Sequence, residues 1–250
     1  MSTPHTSEAV VLRTVNYSDS SLIVRLFTEQ YGKVAVMAKG ARRFKQGTVG
    51  VLQPPNYINV WYQHKERREI QTLVKSEFVE RYANLADDLQ TSAAALVAVE
   101  MLDRAVHEAD PHPIIFRLIT ATLQRLNQGG GDDVVVLHFY QLHLARQLGF
   151  GPQIALCEQC GLALTSATLD SPTGRLLCHR CQADGATPIG GPALKHLRDL
   201  AATHITNLDT LRPNDRTKKQ VGDFLLKHLF FHVDGMSNLK SIKFWHQVTA

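Results

Sequence analysis

Two patterns of hydrophobic and polar residues divide this chain of 250 residues. In the first part, short apolar runs rich in β-branched and aromatic residues alternate with turn residues, which is typical of β-strands. The pattern predicts five strands, at residues 9–15, 22–28, 33–38, 57–62 and 70–74. Five short strands close most economically as a small barrel of the OB type, and a single sheet covered by helices is the alternative.

Beyond residue 85 the hydrophobic period becomes helical. The pattern predicts helices at residues 93–106, 114–126, 135–148, 191–206 and 213–232, of which 135–148 is apolar enough to be the central core helix. Residues 240–250 fit no element and are expected to form a mobile basic tail. The sequence therefore predicts an α+β protein with a five-stranded OB-fold barrel at 1–80, an α-helical domain at 81–250, and a hairpin inserted at about 152–186.

All four cysteines lie in this insertion, as the C-x-x-C pairs Cys157/Cys160 and Cys178/Cys181. This spacing is typical of a four-thiolate zinc site, in which each pair forms a tight turn and a hairpin brings the pairs together. Four thiolates complete a tetrahedral shell, so one structural Zn²⁺ per chain is predicted rather than a catalytic ion. Two disulfides or two redox pairs are the alternatives, but the N-terminus has no apolar signal core and no βαβ setting surrounds the pairs.

Sequence motifs give little support for an enzyme. The pair Gly32-Lys33 is followed by Val34 rather than Ser or Thr, so it does not form a Walker loop, and neither G-x-G-x-x-G nor G-x-S-x-G occurs. His64-Lys65-Glu66 and a C-x-x-C pair resemble part of a zinc deaminase signature, but Leu156 stands where that signature has proline. We therefore expect a protein without catalytic residues.

Positive charge is concentrated in one stretch of the chain. The formal net charge is only +4, yet residues 30–65 contain no acidic side chain. A local positive field of this kind is typical of surfaces that bind nucleic-acid phosphates. The predicted DNA contacts in this stretch are Lys33, Lys39, Arg42, Arg43 and Lys45.

Aromatic residues interleave with these cations, which would let bases stack while the cations follow the phosphates. Simple solvation of a loop is the alternative for the charges. Tyr57 and Trp61 share one face of a strand, where core packing and base stacking both remain open. The aromatic residues of this stretch are Tyr31, Phe44, Tyr57, Trp61 and Tyr62.

The composition is that of an ordinary soluble protein, with 44% hydrophobic and 20% charged residues. No apolar run approaches the length of a membrane span. A cytoplasmic location without a membrane partner is therefore expected.

Taken together, these motifs resemble the RecO family of bacterial recombination mediators. The residues that carry the resemblance are the E-A-V-V-L-R run at 8–13, the turn at 17–19, residues 26–28 and 31–33, and the A-K-G-A-R-R block at 38–43. Leu148-Gly149-Phe150, ahead of the two C-x-x-C pairs, resembles the central region of the same family.

The resemblance implies a protein that binds single- and double-stranded DNA and anneals complementary strands. It also implies that RecR and single-stranded DNA-binding protein are partners, and that the chain helps load RecA at gaps in the RecFOR pathway of DNA repair. Carried over to this sequence, Lys33, Lys39, Arg42 and Arg43 are the DNA contacts, and the four cysteines are the metal ligands.

The family also implies docking of the acidic C-terminal tail of single-stranded DNA-binding protein. Such a tail requires an apolar slot with a cation at its rim, which we expect in the helical domain. The candidate residues for this slot are Lys218, Lys219, Phe224, Lys227, Phe230 and Phe231.

A zinc-ribbon protein is the alternative function. In that reading the four-cysteine hairpin itself binds nucleic acid or a polymerase, and the strands form a protein-binding domain. Arg175, His179 and Arg180 are the cations that the hairpin offers for such a contact.

Overall fold

The structure is a computed structural model, and it describes residues 2–43, 48–170, 173–182 and 185–249. The chain divides into two compact units. Met1–Asn127 together with Leu239–Ala250 form the first, here called the strand unit, and Gln128–Asn238 form the second, here called the cysteine unit. These bounds differ from the predicted domains at 1–80 and 81–250, because the first long helices pack with the strands.

In the described part of the strand unit, five strands form a closed barrel in the order β1-β2-β3-β5-β4. They are β1 (Thr3–Tyr17), β2 (Ser21–Thr28), β3 (Gly32–Ala38), β4 (Tyr57–His64) and β5 (Ile70–Glu80), with a short helix α1 (Thr48–Val51) before β4. β3 and β5 pair in parallel, and the other neighbours are antiparallel. Alternate side chains fill the interior, among them Val11, Val24, Leu26, Val36, Ile58, Val60 and Tyr62.

The predicted strands are all present, although β1 and β5 extend well beyond the predicted bounds. β1 is long because it pairs with β4 through Thr3 to Val10 and with β2 through Ala9 to Tyr17. A strand that serves two partners in succession needs the length of both. Its N-terminal half is more polar than the rest, so the hydrophobic pattern did not reveal it.

Gly32 begins β3 where another segment of the chain passes very close. Its φ is +66°, and a Cβ atom at this position would lie 2.4 Å from the backbone carbonyl carbon of Asp110. The Ala109 amide donates a hydrogen bond of 3.0 Å to the Lys33 carbonyl oxygen. A residue with a Cβ atom would clash at this position, so glycine is required. The close approach holds the segment that carries Glu108 against the barrel.

The helices of the strand unit are α2 (Ala83–Asp87), α3 (Leu89–Ala105) and α4 (Pro113–Gln128), and α8 (Lys240–Val248) at the end of the chain. The Asp88 side chain caps α3 by accepting a hydrogen bond of 2.7 Å from the Thr91 amide. None of the helices in the described residues is long and apolar enough to span a bilayer.

The expected mobile tail at 240–250 is wrong, because most of it is α8, which packs on α3. The Glu100 carboxylate on α3 accepts hydrogen bonds from the Lys240 amide (3.1 Å), the Ser241 amide (2.8 Å) and the Ser241 hydroxyl (2.6 Å). An acid placed there satisfies free N–H groups at the start of the helix. Burial alone raises the pKa of Glu100, but these hydrogen bonds outweigh it and hold the pKa below the usual range.

The cysteine unit is built around α5 (Asp133–Gln147), which the Asp132 side chain caps and which is buried on nearly every side, as predicted. A three-stranded sheet in the order β7-β6-β8 follows among the described residues. Its strands are β6 (Ala167–Asp170), β7 (Arg175–Leu177) and β8 (Thr187–Ile189), and helices α6 (Gly191–Ala202) and α7 (Asp215–His232) come after them. Both of these helices pack on α5.

Candidate nucleic-acid interface and cysteine cluster

The structure brings the four cysteines of the two C-x-x-C pairs together. Their sulfur atoms all lie within 4.8 Å of one another, and none of the four is in a disulfide. The Cys160 and Cys178 sulfurs are 3.7 Å apart. A tetrahedral ion with zinc–sulfur bonds of about 2.3 Å would space its ligands by roughly 3.8 Å. The cluster therefore has the donor set and the spacing of a four-thiolate metal site.

Backbone turns position the sulfurs. Gly161 follows the first pair with a φ of +73°, and its amide donates to the Cys157 carbonyl oxygen at 2.9 Å. The Cys178 amide lies 3.3 Å from the Cys157 sulfur. Burial raises the pKa of the Cys157 thiol, but backbone amides of Cys160 and Cys178 outweigh this effect and lower the pKa to about 6. Cys157 is thereby prepared as an anionic ligand near neutral pH.

Arg198 on α6 fastens both ends of the first cysteine turn. Its guanidinium donates to the Ile154 carbonyl oxygen at 3.1 and 3.0 Å, and to the Leu164 carbonyl oxygen at 2.6 Å. Hydrogen bonds from a charged donor are stronger than neutral ones. The position of α6 and the shape of the cysteine turn therefore depend on each other.

His228 makes a second connection, from α7. Its Nδ1 lies 3.1 Å from the Gly174 carbonyl oxygen at the β6–β7 turn, and its Nε2 lies 2.5 Å from the Phe150 carbonyl oxygen. The side chain of Phe231 packs next to Gly174. Disturbing the cysteine hairpin should therefore loosen α7 as well.

A groove of about 1030 Å³ runs along the outer face of β1, β2 and β3 in the strand unit. Arg13 on β1 lies directly opposite Arg25 on β2, and both side chains are exposed. Like charges opposite each other on neighbouring strands destabilise a sheet. The arrangement is therefore suited to an anion that bridges the two guanidinium groups.

The side chains on the floor of the groove, next to Arg13 and Arg25, are apolar. Ala35 on β3 lies opposite Arg25, Ile70 on β5 lies opposite Ala35, and Ile23 lies opposite Val15. Arg68, in the loop before β5, adds a third arginine to the lining, which also includes the buried Lys33. The lining also includes acids, namely Glu66, Glu69 and Glu108.

Glu108 partly neutralises the arginine pair. Its carboxylate lies 3.5 Å from the Arg25 guanidinium, and both side chains are about half exposed. An ion pair this exposed contributes roughly 0.2–1 kcal/mol, so an incoming anion can compete for Arg25.

Three of the predicted DNA contacts, Lys39, Arg42 and Arg43, are exposed on the turn after β3. The Arg42 amide donates to the Ser20 carbonyl oxygen at 3.0 Å, so this turn lies against the β1–β2 turn. The three cations therefore lie at the end of the strands next to the β1–β2 turn, and they are not among the residues that line the groove. Lys45, also a predicted contact, lies outside the described residues.

Lys33 requires a correction, because its side chain is only 7% exposed. Its ammonium group lies 2.8 Å from the Asp103 carboxylate, 2.5 Å from the Asp103 carbonyl oxygen and 3.4 Å from the Val106 carbonyl oxygen, so all three N–H donors have an acceptor. A buried ammonium already satisfied by α3 has no donor free for a phosphate. Lys33 therefore joins the barrel to α3 and is not available as a DNA contact.

The aromatic residues of the basic stretch separate into two groups. Tyr31 and Tyr62 line the groove. Tyr57 packs on Phe116 of α4, with ring centroids 6.2 Å apart, and Lys75 lies 5.0 Å above the Trp61 ring. Neither Tyr57 nor Trp61 is in the barrel core or lines the groove, and Phe44 lies outside the described residues.

The predicted partner slot on α7 also requires correction. Phe224 is fully buried in the core, and Lys218 forms an ion pair of 2.8 Å with Asp132. Lys219, Lys227 and Phe231 are exposed and Phe230 is half-buried. Phe224 is therefore inaccessible to a partner peptide.

Sequence reasoning missed the three arginines of the groove, Arg13, Arg25 and Arg68. They are far apart in the chain, whereas the prediction favoured a contiguous run of cations. Alternation could have identified Arg25, because it interrupts an otherwise apolar strand and must then face outward. The cations that the alternative function uses, Arg175, His179 and Arg180, are exposed on the cysteine hairpin.

Comparison with known proteins agrees with the resemblance seen in the sequence. Residues 1–82 match the family model of the recombination protein O N terminal region, and residues 86–241 match that of the C terminal region. The chain is 28% identical to the DNA repair protein RecO of Bacillus pumilus over 98% of this chain and 94% of that protein. It is 40% identical to the DNA repair protein RecO of Salinibacter ruber over 59% of this chain and 57% of that protein. The chain therefore belongs to the RecO family of DNA repair proteins.

Proposed function

We propose that this chain is a recombination mediator that binds single- and double-stranded DNA through an OB-fold barrel and anneals complementary strands. The observation that carries the proposal is the pair of exposed arginines, Arg13 and Arg25, placed side by side on the barrel. OB folds bind oligonucleotides on the face of strands 2 and 3 and on the adjoining loops. The groove lies on that face here.

The proposed DNA path follows the strands. It begins at the turn that carries Lys39, Arg42 and Arg43 and continues past Arg13 and Arg25. β2 has 8 residues, which at about 3.3 Å each give a track of roughly 26 Å. OB folds occupy on the order of 4–16 nucleotides, so the track suits the short end of that range.

Annealing requires that two polyanions approach each other. Cations on the barrel lower this repulsion by replacing condensed counterions, and no chemical step is needed. We therefore propose that annealing proceeds without nucleotide hydrolysis. With RecR and single-stranded DNA-binding protein as partners, the same activity would help load RecA at gaps.

Annealing of two complementary oligonucleotides in the absence of nucleotide tests this function. We expect the chain to accelerate annealing, and we expect the double variant Arg42→Glu/Arg43→Glu to slow it by roughly tenfold or more, because two phosphate contacts become repulsive. The matched control is Lys219→Glu/Lys227→Glu, which reverses two exposed lysines on α7 and should leave the rate unchanged.

Two results would contradict the proposal. Annealing that required ATP would point to an enzyme. An unchanged rate in the Arg42/Arg43 variant, together with a slow rate in Arg175→Glu/Arg180→Glu, would favour the alternative in which the cysteine hairpin is the main nucleic-acid contact.

We also propose that the cysteine cluster holds one structural Zn²⁺. The sulfur spacing of 3.7 Å and the absence of disulfides among the four cysteines support this assignment. When bound, the ion would cross-link the two cysteine turns. Cys157, Cys160, Cys178 and Cys181 would be its ligands, which leaves no coordination position for a substrate.

For the acidic tail of single-stranded DNA-binding protein, we propose a site in the cysteine unit at the start of α7. A cleft of about 510 Å³ is lined there by apolar Leu211 and Pro213, by the cations Lys195 and Arg212, and by Asp199, whose carboxylate lies 2.6 Å from the Lys195 ammonium group. An apolar slot with cations at its rim suits an acidic tail with apolar residues. Binding of a fluorescent tail peptide should weaken roughly tenfold in Lys195→Glu/Arg212→Glu.

The matched control for the tail peptide is again Lys219→Glu/Lys227→Glu. If that variant lost the peptide while Lys195→Glu/Arg212→Glu retained it, the tail would dock on the exposed face of α7 instead. That face carries the remaining residues of the slot predicted from the sequence.

A further inference from the structure

A pile of planar rings lies at the end of the groove that is opposite the turn carrying Lys39, Arg42 and Arg43. The His5 ring is stacked on the Tyr31 ring, with centroids 4.1 Å apart and planes 12° apart. On its other side it is stacked on the His64 ring, at 4.6 Å and 6°. Three nearly parallel rings from β1, the β2–β3 turn and β4 thus form one continuous pile, here called the ring pile.

The ring pile is held from below. Tyr62 is almost fully buried, its ring meets those of His5 and Tyr31 edge-on, and its hydroxyl lies 3.2 Å from His5 Nδ1. A buried edge-on ring fixes the orientation of the rings above it. The three stacked rings themselves are only half-buried and line the groove.

The ring pile differs from ordinary core packing in two respects. Its three rings are half-buried rather than fully buried, and their nearly parallel planes allow a further planar ring to be added to the pile. It also opens into a groove whose cations lie further along the same strands. Burial, and then the charge of His64, lower the pKa of His5.

We propose that the ring pile is a stacking site for an unpaired nucleobase, which would stack on the ring at one end of the pile, Tyr31 or His64, while the ring at the other end holds His5 in place beneath it. This inference rests on the proposed binding of DNA to the barrel. Arg13 and Arg25 would hold the phosphates while a base of the same strand continues the pile. A paired duplex keeps its bases stacked internally, so the ring pile would favour single strands over duplexes.

A comparison of two single-stranded oligonucleotides of equal length tests the inference. One is oligo(dT), and the other has the same phosphates but abasic sites in place of the thymines. Stacking of a base on an aromatic side chain changes affinity by roughly 5- to 150-fold. We expect the intact chain to bind oligo(dT) about tenfold more tightly than the abasic strand, with the same dependence on salt for both.

Substitutions of single ring residues test whether the ring pile causes the preference for bases. Tyr31→Leu and His64→Leu should each reduce the preference for bases to about twofold, and Tyr31→Phe, which keeps the ring, should retain it. Trp61→Leu removes an aromatic ring on the outer face away from the groove and is the matched control. If Tyr31→Leu does not fold, His64→Leu at the end of β4 gives the same information.

The possible results distinguish failure of the stacking site from failure of the proposed DNA binding. If the intact chain bound oligo(dT) and the abasic strand equally and retained the salt dependence, the stacking role of the ring pile would be overturned, but the proposed DNA binding would not. A preference that survived both Tyr31→Leu and His64→Leu would also overturn the stacking role. Absence of salt-dependent binding to either strand would overturn the proposed DNA binding itself.

Discussion

Replacing Cys178 by serine should abolish metal binding and lower the melting temperature by roughly 20 °C or more. Structural zinc contributes on the order of 10 kcal/mol to the folding of the segment that holds it, and in a chain of this size 1 kcal/mol is worth about 2–4 °C. Arg198 and His228 tie the cysteine hairpin to α6 and α7, so the loss should spread beyond the hairpin. Metal analysis and thermal unfolding measure the two effects.

The matched control is Arg180→Ser, which changes an exposed residue between the cysteines of the second pair. It should retain one zinc per chain and the original melting temperature. Chelation of the unmodified protein should reproduce the Cys178→Ser result, and added zinc should reverse it. Purified protein that contained no zinc, and whose four thiols reacted freely in the folded state, would contradict the assignment.

Replacing Lys33 by methionine should destabilise the chain by about 3–5 kcal/mol, because Asp103 would be left as an uncompensated charge with its side chain only 13% exposed. The same substitution should leave the salt dependence of DNA binding unchanged at a temperature where the variant is folded. Urea unfolding and a binding titration on one protein sample provide both measurements.

A second substitution separates the ion pair from simple loss of packing. Lys33→Met combined with Asp103→Leu removes both charges, and replacing a whole buried ion pair by apolar residues is often close to neutral. The double variant should therefore recover most of the lost stability. If Lys33→Met cost less than about 1 kcal/mol, or flattened the salt dependence, Lys33 would belong to the DNA surface after all.

The strands and the cysteine cluster were predictable because each depends on local signals. Alternating β-branched residues predict a strand without reference to its partner, and two C-x-x-C pairs predict a four-thiolate cluster from spacing alone. The structure confirms five strands in the N-terminal part of the described chain, and it places all four sulfurs together.

The errors concern residues whose role is decided by distant partners. Lys33 stands in a basic stretch, but Asp103, 70 residues later, determines that it is buried. The segment after residue 239 is a helix partly because Glu100 meets its first amides. Arg13 and Arg25 become neighbours only through the register of β1 and β2. None of these pairings can be recognised from the local sequence.

The most direct test of the central claim is the salt dependence of single-stranded DNA binding in two double variants. Arg13→Gln/Arg25→Gln removes the arginine pair of the groove, and Arg175→Gln/Arg180→Gln removes two cations of the cysteine hairpin. Each phosphate contact contributes about 0.7 to the slope of log K against log salt for single strands. We expect the groove variant to lower that slope by roughly 1.4 and the hairpin variant to leave it unchanged. The reverse pattern would contradict a nucleic-acid site on the barrel.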